Sequence, residues 1–141
     1  MNAYFVTCTG YDVDEDGNVT CVYATYDPES RGGNSPDGRK VRGTIHWVSA
    51  KTAKKAEIRL YENIVDEEKG VYNEDGSINV NPNSLTVIKE AYVEPELEKY
   101  DKGDSFQFMR TGYFCLDSKD STKEHMVFNR IVSLKSSYKP N

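Results

Sequence analysis

The chain has 141 residues and a formal net charge of −5; 37 % of it is hydrophobic, including ten tyrosines and five phenylalanines. That length and content suit one good-sized core or two small barrels, and they exclude both a disordered polypeptide and a large two-domain enzyme. No apolar run approaches the ~20 residues of a membrane span, and the start MNAYFVTCTGYDV lacks the basic and apolar regions of an export signal, so a cytoplasmic protein without a membrane partner is expected.

Charge is distributed unevenly: residues 1–30 carry −6, 31–59 carry +6, 60–104 carry −8 and 105–141 carry +3. Two basic tracts can face a polyanion even when the total is negative, or be ordinary solvated faces. The three cysteines, Cys8, Cys21 and Cys115, cannot all pair and form no C-x-x-C motif. They read as reduced, largely buried thiols.

In chain order, YFVTCTGY (4–11) and VTCVYATY (19–26) are β-branched and aromatic runs joined by a turn, a β-hairpin. RGGNSPDGRK (31–40) reads as a surface loop, VRGTIHWVS (41–49) as a strand and SAKTAKKAE (49–57) as a short helix capped by Ser49. EIRLYENIV (57–65) follows as a strand, and the polar segment 66–84 as a long connection with a small hairpin at Asp75-Gly76. The strand LTVIKEAYV (85–93), a short acidic helix at EPELEKY and the strands SFQFMR, GYFCLD and HMVFNRIVSL complete the chain. Many short strands between turn signals, with little helix, predict an all-β Greek-key barrel or a pair of them.

Most motifs that imitate chemistry dissolve on inspection. DVDEDG places Asp12, Asp14 and Asp16 at calcium-loop positions, but Tyr23 stands where a bidentate Glu must close the site and the flanks are strands, so a hairpin turn is expected. GNSPDGRK has phosphate-loop glycines at 33 and 38, yet Arg39-Lys40 replaces the required Lys and Ser/Thr, and no helix follows. With two histidines, His46 and His125, and cysteines inside apolar strands, neither a metal site nor a cysteine nucleophile is expected; the catalytic and metal sets are empty. What remains is FQFMRTGYF (106–114), four aromatic rings around Gln107 and Arg110. Amide and guanidinium edges can hydrogen-bond an unpaired base while rings stack on its face, but aromatic strand residues are usually core.

The strings TYDPESRGGNSPDGRKVRGTIHWVSAKTAKKAEIRLYENI, INVNPNSL, FQFMRTGYFCLDS and VFNRIVSLK closely resemble, in order and over nearly the whole chain, the C-terminal anticodon-binding region of bacterial-type glutaminyl-tRNA synthetases. The resemblance implies an all-β fold of two stacked L25-like Greek-key barrels with short helices, the barrel nearer the catalytic core being incomplete. Residues 1–66 would form the distal barrel, and 67–141 the connection and return strands of the proximal one. It further implies that Gln107 and Arg110 contact the middle anticodon base. Their opposite strand parity then requires a bulge or strand end between Met109 and Gly112.

By the same resemblance Asn2 is the retained position nearest a pair of arginines that reads the first base, and Ser137 approaches the anticodon loop. Arg39, Lys40 and Arg42 are candidates for backbone contacts from charge alone. The HIGH and KMSKS-type motifs are absent, so a fragment inactive by itself is expected, with no cofactor of its own. ATP and Mg2+ would serve the full-length parent. The implied partners are the anticodon loop of glutamine tRNA and an upstream catalytic domain of the same chain, in a monomer. The alternatives are the anticodon-binding domain of a related glutamyl-tRNA synthetase, which RGGNSPDGRKV and FQFMRTGYF disfavour, and a non-catalytic protein-interaction barrel.

Overall fold

A computed structural model describes residues 3–33, 37–41, 43–65 and 69–134. The first two strands, β1 (Phe5–Val13) and β2 (Val19–Asp27), pair antiparallel from Phe5↔Asp27 to Val13↔Val19. The acidic run between them is the expected turn. The Asp14 carboxylate accepts hydrogen bonds from the backbone N–H groups of Asp16 (3.0 Å) and Asn18 (2.8 Å) and from the Asn18 side-chain amide (3.1 Å). Those bonds, Asn18's first, lower the pKa of Asp14. Among the described residues no cluster of His, Cys, Asp and Glu could hold a metal ion. At the open end, buried Ser30 in the 3-10 turn Pro28–Ser30 ties the strands together: its hydroxyl accepts from Phe5 N–H and donates to the Asp27 carbonyl, both at 2.7 Å.

Cys8 and Cys21 were expected inside a core but are exposed, and Cys115 is half-buried. The physical reason is that β1 and β2 form a two-stranded sheet, and among the described residues of the first unit no second layer covers its side chains.

A second correction follows along the chain. Residues 43–49 form no strand, and the helix expected over 49–57 is a single turn, in which the Ser49 carbonyl accepts from Thr52 N–H (3.0 Å) and Ala53 N–H (2.7 Å). From Lys54 the chain extends as β3 (Lys54–Tyr61). The alanines and lysines favour helix locally, but Ala56, Ile58 and Leu60 alternate onto one face of a sheet with a partner on each side, and that burial overrides propensity.

β3 is followed by β4 (Leu85–Val93), β5 (Ser105–Phe108), β6 (Gly112–Leu116) and β7 (Met126–Ser133), in the order β4-β3-β7-β6-β5. The β3–β7 pairing is parallel and the others antiparallel. The fold is all-β, as expected; the acidic helix before Tyr100 is the 3-10 helix Pro95–Lys99. This sheet is open, with β4 and β5 at its edges. In the polar connection, Asn73 N–H donates to the Ser77 carbonyl (2.8 Å) and Gly76 has φ 80°, forming the hairpin expected at Asp75-Gly76.

The contacts divide the chain into two compact units, Met1–His46 and Trp47–Asn141. β3 lies in the second unit, hydrogen-bonded to β4 and β7. The inner face of the five-stranded sheet forms the core: Ala56, Ile58, Val93, Phe114, Leu116, Met126 and Phe128 are buried, with Leu60, Ala91, Leu97, Phe106 and Phe108 packed against them. Phe128 meets the Phe106 ring at 5.9 Å and the Phe108 ring at 5.2 Å, edge-on, while Phe108 stacks on Phe114 at 4.6 Å. At Gly112 the backbone runs so close to β7 that an added Cβ would lie 2.7 Å from the Val132 carbonyl oxygen. Gly112→Ala should therefore destabilise the second unit by about 1–3 kcal/mol, measured by urea denaturation followed through Trp47 fluorescence.

The opposite face is tied by charge. Arg59 Nε reaches Glu57 at 2.7 Å, and its Nη1 lies 2.6 Å from Asp120 and 3.9 Å from Asp117. Asp117 accepts from the N–H groups of Asp120 (2.6 Å) and Lys119 (2.8 Å) and from the Asn129 amide (2.6 Å). These bonds, that from Asp120 first and that from Asn129 next, hold its carboxyl at about 2, below the ordinary 3.8. Because the folded value is the depressed one, this contribution is complete above pH ~4 and is lost as pH falls towards 2. Stability measured across that window should fall less steeply with acid in Asp117→Ala than in the parent chain. The variant should start about 1–3 kcal/mol less stable at neutral pH, where its former donors are left unpaired.

Candidate nucleic-acid interface

β5 and β6 form a hairpin with Cα partners Ser105↔Cys115, Phe106↔Phe114, Gln107↔Tyr113 and Phe108↔Gly112. Strand alternation sends Phe106 and Phe108 to the core and leaves Gln107 exposed on the other face. β5 ends at Phe108, and Met109, Arg110 and Thr111 make the turn, closed by Thr111 N–H donating to the Phe108 carbonyl at 2.9 Å. The required break is thus a strand end, one residue earlier than expected. Arg110 leaves the strand parity altogether and sits exposed at the tip, on the same hairpin end as Gln107.

Arg110 has φ 67°, making it the one non-glycine residue with positive φ among those described. Side-chain sterics make this left-handed conformation costly, and glycine adopts it freely. The guanidinium makes no ion pair or hydrogen bond to another described residue. An arginine in this position contributes nothing visible to the fold, and local strain of this kind is characteristic of binding sites.

Opposite Gln107, on β6, Tyr113 is 43 % exposed between buried Gly112 and Phe114. Sequence reading counted this ring among four aromatics without separating it from the core; the parity of β6, opposite that of Phe114, was the available signal. The cavity lined by Leu97, Tyr100, Lys102, Leu116, Thr122 and Met126, of about 280 Å³, includes none of these three residues.

The remaining candidates divide between the first unit and positions outside the described residues. Arg39 and Lys40 belong to the first unit. Arg39 pairs with Asp27 and, at 3.3 Å, with Asp37, and its guanidinium lies 5.7 Å from the centre of the Phe5 ring. Its charge is already compensated. Lys40 is exposed, without an ion pair to another described residue. Asn2, Arg42 and Ser137 lie outside the described residues. His125 Nε2 stands 3.8 Å from Glu57, and Cys115 Sγ 3.8 Å from the Asn129 carbonyl, so neither is presented as a nucleophile–base pair.

Residues 44–117, more than half of the chain and including β3 to β6, match the family of class I tRNA synthetase (E and Q) anti-codon binding domains. The chain belongs to this family. Its relatives include the glutamine–tRNA ligase of Clostridium kluyveri, 54 % identical over 140 residues, which are 98 % of this chain and 25 % of that protein. The corresponding ligase of Clostridioides difficile is 48 % identical over 143 residues, with the same two coverages of 98 % and 25 %, and that of Vibrio vulnificus 46 % identical over 136 residues, 96 % of this chain and 24 % of its own length. The chain thus spans about a quarter of the length of these relatives. No helix among the described residues is long and apolar enough to cross a membrane.

If Arg110 is held in place for binding rather than for folding, Arg110→Gly should raise stability by about 1 kcal/mol, read as an increased midpoint of thermal or urea unfolding. An unchanged or lowered midpoint would mean that Arg110 supports the turn.

Proposed function

We propose that this chain reads the anticodon of glutamine tRNA as the recognition part of a glutamine–tRNA ligase, the ligation step lying with the rest of that enzyme. The observation that carries this reading is the β5–β6 hairpin end: within the family-matched segment it presents together, clear of the core, an amide and a guanidinium without a partner among the described residues. Both groups are planar and multiply hydrogen-bonding, suited to the edge of an unpaired base in an opened anticodon loop. On this reading Gln107 and Arg110 read the middle uridine. Lys40 contacts the phosphate backbone, with Arg42, Asn2 and Ser137 as further RNA contacts. Arg39 would join them only by giving up its carboxylate partners.

The test is a titration of the chain against a glutamine-tRNA anticodon stem-loop and versions carrying each other base at the middle position, at several salt concentrations. Arg110→Ala should cost about 1–3 kcal/mol against the uridine loop and narrow the preference for uridine, whereas Lys40→Ala should weaken all loops alike and reduce the salt slope by about 1. Equal binding of all four loops by the unaltered chain would defeat the reading.

A further inference from the structure

We infer that Tyr113 is the stacking platform of this site, the ring on which the base read by Gln107 and Arg110 lies flat; the inference rests on the anticodon-reading function proposed above. Three observations support it. First, Tyr113 alone among the four rings of the hairpin is withheld from the core: Phe106, Phe108 and Phe114 all pack inward, while Tyr113 has no ring contact or hydrogen bond to another described residue. Second, Tyr113 is the direct cross-strand partner of Gln107, and such partners hold their Cβ atoms ~5 Å apart on one face. An amide and a ring at that separation can engage the edge and the face of one nucleobase.

Third, the surface beside Tyr113 is prepared for a flat apolar ligand. Its other partner, Val132 on β7, is 50 % exposed, and Ile131, left without a Cα partner at the register shift between Tyr113 and Phe114, is 57 % exposed. Gly112, next to Tyr113, is the residue whose missing side chain lets β6 and β7 approach, so the platform is backed by a rigid strand pair. The chemistry expected of such a platform is base-tolerant: every base has a π face, so the ring supplies affinity and the amide and guanidinium supply choice.

The experiment uses the chain with the same stem-loops, plus one with an abasic middle position. Tyr113→Ala should weaken binding to all four middle bases by a common factor, roughly 5- to 150-fold, and leave the preference among them intact. Tyr113→Phe should bind within about threefold of the unaltered chain, and the abasic loop should be bound equally with and without the ring. Tyr113→Leu, which keeps an apolar strand residue, should show the same loss as Ala with an unchanged unfolding midpoint, separating stacking from folding. Unchanged affinity in Tyr113→Ala, a loss confined to uridine, or a loss in Tyr113→Phe as large as in Tyr113→Ala would each overturn the inference while leaving the anticodon reading standing. Failure of the unaltered chain to prefer uridine would instead remove both.

Discussion

The ring of Phe128 is the fixed point of the second sheet. It is fully buried on the central strand β7 and meets the rings of Phe106 and Phe108, the two core residues of an edge strand only four residues long. Those contacts reach across β6, so they hold β5 in place through side chains as well as through its one ladder of hydrogen bonds. Two rings anchored two residues apart dictate the rest by parity: the residue between them must face away from the core, and it is Gln107. The turn then begins where the last ring ends, and Arg110 is projected from it. The exposed end of the β5–β6 hairpin is a consequence of aromatic packing on its hidden side.

Much of this is legible in the sequence. The alternation of Phe106 and Phe108 against Gln107 is a period-2 pattern, and the clash between that pattern and Arg110 correctly implied that the strand could not run on. The first hairpin, the Asp75-Gly76 turn and strand β4 were equally plain, because β-branched runs bounded by turn residues leave little choice. The misreadings share a cause. Residues 49–57 hold alanines and lysines that favour helix when taken alone, and what makes them extended is a pair of distant strands, β4 and β7, that local composition cannot announce. The buried thiols expected at Cys8 and Cys21 failed for the converse reason: an apolar strand promises a covering layer, and the described residues of the first unit supply none.

The residues of the candidate site are plain in the sequence, and the backbone strain at Arg110 is not. Nothing in FQFMRTGYF says that arginine occupies a left-handed backbone position, since Gly112 two residues later is the more natural candidate for unusual geometry. The structure reverses those roles. Gly112 is needed for close approach to the Val132 carbonyl, and Arg110 takes the conformation that glycine would adopt freely. Likewise Arg39 looked like a phosphate ligand from charge alone, and its engagement with Asp27, Asp37 and the Phe5 ring depends on a fold that charge counting does not see.

The parallel pairing of β3 with β7 joins Ala56 to Met126 across most of the sequence of the second unit. During synthesis β3 emerges long before its central partner, so the ladder on that side cannot close until the strand at 126–133 is available. Until then β3 and β4 can exist only as an antiparallel pair whose apolar face is uncovered. Formation of this sheet is therefore a late, non-local event of high contact order, slow compared with closure of the β1–β2 hairpin, and the interval is one in which a nascent chain is most exposed to mispairing.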